Sequence, residues 1–224
     1  MAKSKSSTHK RKIRQRKKKQ KQLNRNLSIG IAVVVVLVLI VVSWPKTEAA
    51  PLSAERLEAD PALGASNAPV TIIEYGDFGC SACRSWHRAG IRRQVEAEYG
   101  DQVQFVWRDF PVITAQSPKA AEAGQCAFDQ GKFWEYHDYL YEQALSLSVS
   151  NLKASAKEIG LDSTQFDQCL DSEQNKAKID HNLDQAYRLG LPGTPSFVVN
   201  DQKLAGPPTY ATLKGIIDNI LAVQ

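Results

Sequence analysis

Hydrophobic and polar positions change their period several times along this chain, and each change predicts an element. The first feature is Leu27 to Trp44, apolar apart from Ser28 and Ser43, with an uninterrupted block from Ile31 to Val42. At helical rise its 18 residues reach roughly 27 Å, the thickness of a bilayer core, so residues 27–44 read as a transmembrane signal anchor. Residues 45–68 are rich in Ala, Pro, Ser and Glu with little periodicity and read as a linker, in which Ser53 to Ala59 forms at most a short helix. A β-branched and apolar run, Val70 to Tyr75, then predicts a buried strand that breaks at Gly76. A helix is expected from Cys80 to about Tyr99, ended by Gly100, and a second strand over Gln102 to Arg108, stopped by Pro111. Strand, helix, strand in so short a span implies a right-handed crossover and a parallel pair.

From Ser117 to Gly190 the period is helical. Pro118 suits a first helical position, Gly131 separates Lys119–Gln130 from Phe133–Leu145, Asn151 can cap a helix ending at Gly160, Asp162 or Ser163 a short one, and Ser172 a long one. Phe133, Trp134, Tyr136, Tyr139, Leu140 and Tyr141 are spaced to fill the core of this block. Beyond it, Gly193–Val199 and Lys203–Ala205 flank Asn200-Asp201 as an antiparallel hairpin, and Thr209 caps a closing helix whose Leu213, Ile216, Ile217 and Ile220 share a face. The expected organisation is α/β: a first part over 69–116, an inserted helical domain over 117–190, and a second part over 191–224.

Charge refines the reading of the N-terminus. The net +4 conceals twelve Lys or Arg and no acid in residues 1–26, which leaves sixteen basic against twenty-four acidic residues in the rest. Basic residues stay cytoplasmic, so residues 1–26 are expected as a cytoplasmic tail and everything after Pro45 outside, in a single-pass protein of a bacterial plasma membrane. A cleaved signal peptide, cut near Ala49 or Ala50, is the rival reading; a nucleic-acid-binding arm over Lys10 to Lys21 explains the charge less simply. Both membrane readings place the four cysteines where disulfides persist.

Two of them stand as Cys80-Ser81-Ala82-Cys83 at a helix start. Backbone amides there favour an anion, and a thiolate at Cys80 is both nucleophile and leaving group, so the pair suits disulfide exchange. Half of a zinc site has the same spacing, but Cys126, Cys169 and four scattered histidines offer no second close pair. Neither a metal nor a cofactor is expected, since no flavin or nucleotide motif is present. A membrane-tethered chaperone or binding module with structural cysteines is the reading from another class.

Several separated motifs carry a resemblance to a known family: Asn67-Ala68-Pro69-Val70-Thr71-Ile72, Tyr75-Gly76-Asp77-Phe78-Gly79-Cys80-Ser81-Ala82-Cys83, Gln130-Gly131-Lys132-Phe133-Trp134, Cys169-Leu170-Asp171-Ser172, and Gly193-Thr194-Pro195-Ser196-Phe197-Val198-Val199-Asn200. In this order they resemble the DsbA-like thiol-disulfide oxidoreductases, which implies a thioredoxin-like fold with a helical insert. By that resemblance Cys80 is the exposed nucleophile, Cys83 the buried resolving cysteine, Pro195 a cis-proline beside them, Thr194 a presenter of backbone groups to an extended substrate, and Glu74 a buried acid beneath the site. A solvated edge position is the plain alternative for Glu74. The chain departs from the best-studied members at Ser81-Ala82, where those carry a histidine that helps hold the thiolate, so a milder oxidant is expected. Cys126 and Cys169 both fall in the insert and are expected to pair; a second redox pair is the alternative. His87, His137 and His181 read as surface residues, although His87 lies one turn past Cys83. The implied partners are reduced or unfolded exported proteins and a membrane reoxidase of the DsbB or vitamin K epoxide reductase type. A reductase or isomerase of the same fold is the competing direction. Isomerases are usually dimeric, and with no dimerisation segment evident a monomer is expected.

Overall fold

A computed structural model describes residues 59–223. The basic tail, the apolar span over 27–44 and the short helix expected from Ser53 lie wholly or almost wholly outside these residues, and no helix among the described ones is long and apolar enough to cross a membrane.

Thirteen labelled elements follow in chain order: β1 (Ala62–Leu63), β2 (Val70–Gly76), α1 (Ser81–Arg88), α2 (Ile91–Tyr99), β3 (Val103–Asp109), α3 (Ser117–Phe128), α4 (Phe133–Gln143), α5 (Val149–Glu158), α6 (Ser163–Asp171), α7 (Lys176–Arg188), β4 (Ser196–Val199), β5 (Gln202–Ala205) and α8 (Tyr210–Ala222). The sheet order is β1-β3-β2-β4-β5, with β2 and β3 parallel and every other pairing antiparallel. The crossover from β2 to β3 therefore places the N-terminus of α1 at the carboxyl end of the central strand.

Alternation along β2 divides the core. Val70 and Ile72 pack on one face with Trp86, Val95, Phe197, Leu213 and Ile217, so that α1, α2 and α8 cover it. Tyr75 packs on the other with Phe110, Ala186 and Val198, under α7. Helices α3 to α6 build a further cluster around Phe133, Tyr136, Tyr141, Leu152 and Phe166, which reaches the sheet through Trp107 and the active cysteines through Phe78. Gly76 is what lets Trp107 lie there: a Cβ at Gly76 would come 2.2 Å from the Trp107 ring.

Four differences from the sequence reading are local. The single helix expected from Cys80 to Tyr99 is two, because Gly90 adopts φ 67° and ends α1. A left-handed residue cannot continue the hydrogen-bond ladder, and glycine is the residue that takes that conformation without strain. The linker over 45–68 contributes an edge strand, with Ala62 opposite Val106 and Leu63 opposite Phe105. This segment is held by charge: Asp60 accepts from Arg108 Nε at 2.7 Å and from Lys178 Nζ at 2.6 Å. Ser148 and not Asn151 caps α5, and α7 begins at Lys176 and not at Ser172. Asp162 and Thr209 accept the capping bonds of α6 and α8 from Gln165 and Thr212.

Candidate active site

The turn between β2 and α1 is shaped by Asp77. Its carboxylate accepts from the Gly79 N–H at 2.7 Å and from the Ile113 N–H at 2.8 Å, and its carbonyl accepts from the Cys80 N–H at 2.9 Å and the Tyr141 hydroxyl at 3.1 Å. The clamp leaves Cys80 as the N-cap of α1, in extended backbone, with Ser81 the first helical residue. Cys83, a turn further in, is fully buried, and Cys80 is 5% exposed. The nucleophile position is thus less open than the resemblance implied.

The two thiols have opposite electrostatics. Cys80 is lowered from 9.0 to about 5 by a hydrogen bond from the Cys83 thiol first of all, then by Thr194 and the backbone N–H groups of Cys83 and Ala82, against the opposing effect of burial. The amides are those of the second and third residues of α1, the ones an N-cap side chain meets. Cys83 is pushed far above the usual thiol range, by burial first and by its own donation to Cys80 second. One cysteine is therefore an anion at neutral pH, stabilised by the proton its partner keeps.

Thr194 and Pro195 come to this pair from the loop before β4. The Thr194–Pro195 bond is cis. Cys80 Sγ lies 3.3 Å from the Thr194 carbonyl, to which the thiol donates, and the Thr194 hydroxyl is buried without a hydrogen-bond partner. That hydroxyl is free to donate to sulfur once Cys80 ionises.

Glu74 lies within the sheet and not at its edge. In register it stands between Trp107 on β3 and Phe197 on β4, and it is 4% exposed. Burial raises its pKa from 4.5 to about 8, opposed by Arg92 and aided by Cys80, and its charge in turn acts on Cys83. At neutral pH the group is a protonated carboxyl close to the buried thiol. A carboxyl with a raised folded-state pKa keeps its proton where the unfolded chain has lost it, so stability is full below about 4.5 and falls as pH climbs towards 8. Glu74→Gln removes that dependence. Urea unfolding across this range should show the variant more stable than the parent near pH 8, by roughly 2–4 kcal/mol, and little changed at pH 4; parallel pH profiles would contradict the assignment.

Cys126 and Cys169 are joined in a disulfide between α3 and α6. His87 and His137, read from sequence as surface residues, are buried, 6% and 2% exposed. Both turn inwards because the aromatic cluster encloses them: His137 is ringed by Phe78, Trp107, Phe133, Trp134 and Tyr141. Asp77 and Tyr141 set the turn, a role the sequence reading did not give them, having named Tyr141 only as a core aromatic and Asp77 only within a motif; an aspartate directly after the strand-ending Gly76 was the available signal.

A thioredoxin-like sheet with a helical insert carries a paired anion and buried thiol at the start of its first helix, the arrangement that the resemblance to the DsbA-like family implied. Comparisons agree on the fold. Residues 56–219 match the family model described as thioredoxin, and the chain belongs to this family. Among solved structures, it is similar to a thioredoxin-like oxidoreductase from Silicibacter pomeroyi DSS-3, with 30% identity and a TM-score of 0.66 over 73% of this chain and 92% of that one. BdbD from Bacillus subtilis shares the fold, at 24% identity and a TM-score of 0.67 over 73% and 93% of the two chains. Among curated proteins, it is 32% identical over 167 residues to "Na(+)/H(+) antiporter NhaA 3" of Salinispora tropica, a match covering 74% of this chain and 25% of that protein. The chain thus spans about a quarter of the length of the curated relatives it matches.

Proposed function

We propose that this protein introduces disulfides into exported proteins on the outer side of a bacterial plasma membrane, tethered there through residues 27–44 with its basic tail in the cytoplasm. The observation that carries the reading is the depressed Cys80 thiolate beside a Cys83 that resists ionisation. Stabilising Cys80 as an anion stabilises the reduced enzyme, and a stabilised reduced state makes the oxidised state an electron acceptor. At pH 7 a cysteine with a pKa of about 5 favours its thiolate roughly a hundredfold over its thiol, worth about 60 mV for a two-electron couple.

In the cycle, a substrate thiolate attacks Cys80 of the Cys80–Cys83 disulfide. The sulfur–sulfur bond breaks, Cys83 leaves with the electron pair, and a proton restores it as a thiol, with the neutral Glu74 carboxyl as donor. A second substrate thiolate attacks the substrate sulfur of the mixed disulfide and expels Cys80 as its stable thiolate. Two electrons have passed from substrate to enzyme. Thr194 and the Pro195 turn hold an extended substrate segment against Cys80, and a membrane reoxidase of the DsbB or vitamin K epoxide reductase type takes the electrons onward. The chain acts as a monomer. Tethering is supported by the sequence of residues 1–44.

The reduction potential of the Cys80–Cys83 pair, equilibrated against glutathione, tests the direction. A value above about −150 mV is expected. A value near −270 mV, that of thioredoxin, would make the protein a reductase.

A further inference from the structure

Behind the active-site helix lies a group of side chains that disulfide exchange does not use. His87 on α1 and His137 on α4 are both more than nine-tenths buried, and each leaves its Nε2 without a hydrogen-bond partner. Folding ordinarily avoids such a penalty. Their Nδ1 atoms converge on one oxygen, with His137 at 2.8 Å and His87 at 3.6 Å from Asp138 Oδ1. One donor atom from each of the three residues lies within 4.8 Å of the others.

We propose that His87, His137 and Asp138 form a binding site for a divalent cation of the Zn2+ class, entered from the cleft between α2 and α4. Two imidazoles and a carboxylate are a donor set that suits Zn2+ and its neighbours and leaves a fourth position open. Zinc–ligand bonds of about 2.0–2.1 Å set tetrahedral donor atoms roughly 3.3 Å apart, so the 2.8 and 3.6 Å separations from Asp138 need to change by only a few tenths of an ångström, and the two imidazoles, whose donor atoms lie within 4.8 Å, must close by at most about 1.5 Å. His87 Nε2 stands 4.0 Å from Glu142 Oε1, within a small rotation of the outer hydrogen bond that orients a ligating histidine.

Access and competition are both visible. Asp138 forms part of the wall of a cleft of about 720 Å³, whose rim also carries Glu96, Asp101 and Glu135, a field that draws cations in. Arg92 occupies the approach: its Nη2 lies 3.1 and 3.0 Å from the two Asp138 oxygens. A cation must share Asp138 with this guanidinium or turn it away, and Arg92 retains Glu96 at 3.0 Å and the Trp134 face at 4.9 Å if it yields. Arg92 therefore weakens the site that Asp138 completes.

The opposing roles make the test directional. Calorimetric titration of Zn2+ into the full chain, with Cys80 and Cys83 oxidised so that no thiol competes, should give one equivalent bound at about 10 µM or tighter. Asp138→Asn should weaken it at least about tenfold, and Arg92→Gln should tighten it about threefold or more. Co2+ in place of Zn2+ should show visible bands without a thiolate charge-transfer feature. Absence of saturable binding up to about 1 mM, or affinities unchanged in both variants with circular dichroism like the parent's, would overturn the proposal.

Discussion

Cys80→Ser should lower the rate of disulfide formation in a reduced, exported test protein by roughly a thousandfold or more. The serine hydroxyl cannot form the mixed disulfide, and nothing else in the site can take its place. Cys83 is fully buried and its thiol is held far above the usual range. Cys83→Ser should behave differently. Cys80 would still be met by the backbone amides of Ala82 and of position 83 and by Thr194, so it would keep attacking disulfides, but with no resolving thiol the mixed disulfide would accumulate as a covalent adduct visible on a non-reducing gel. A Cys80→Ser protein that oxidised its substrate at the parental rate would remove Cys80 from the chemistry.

Removing the second pair should strike stability and leave chemistry largely in place. Cys126 and Cys169 close a loop across a sequence separation of 43 residues, which in the chain-entropy model contributes about 4 kcal/mol. Against a typical total of about 5–15 kcal/mol, that is a large share. The Cys126→Ala/Cys169→Ala variant should melt about 10 °C lower, as followed by circular dichroism, and should keep the reduction potential of Cys80–Cys83. The reason is that different elements hold the two pairs: the bridge joins α3 to α6, whereas the exchanging pair is held by β2, α1 and the Thr194 loop. A potential that moved with this bridge would make it part of an electron relay.

The sheet and its crossover were legible because they rest on short-range patterns. Val70 to Tyr75 is β-branched and apolar whatever surrounds it, and Cys80 follows at the right interval to cap a helix. Tertiary effects were less so. Gly90 within an otherwise helical stretch gives no sign that it will adopt a left-handed conformation until the neighbouring helices demand a change of direction. Ala62-Leu63 is too short for any period, and it becomes a strand only because β3 offers a free edge and Asp60 finds Arg108 and Lys178. Glu74 was ambiguous for the same reason: strand alternation identifies a face, and only the register with Trp107 and Phe197 makes that face dry. The histidines were misjudged on residue type: His87 and His137 were read as solvated, although His87 stands one turn past Cys83 and His137 four residues from both Phe133 and Tyr141, and the aromatic side chains of α4 close over them.

The thiolate of Cys80 has a similar history. A helix start and Thr194 were readable from spacing and resemblance, and the missing histidine at Ser81-Ala82 argued for a weaker oxidant. The leading stabiliser in the folded protein is a group the sequence displays but does not orient, the Cys83 thiol itself. Each sulfur sets the other's protonation, and burial of the inner one makes the arrangement one-directional.

Thiolate absorbance near the far-ultraviolet edge, followed in the reduced protein as pH is changed and compared with Cys80→Ser, reads this arrangement directly. The folded-state pKa is depressed, so the anion should persist from alkaline pH down through neutrality and disappear as pH falls through about 5, whereas the stability it lends is complete above 9.0 and is lost progressively as pH falls from there through about 5. A single transition there, absent from the variant, is the outcome foreseen. A midpoint at or above about 8.5, that of an ordinary cysteine, would mean that the helix start, Thr194 and Cys83 do not hold the charge.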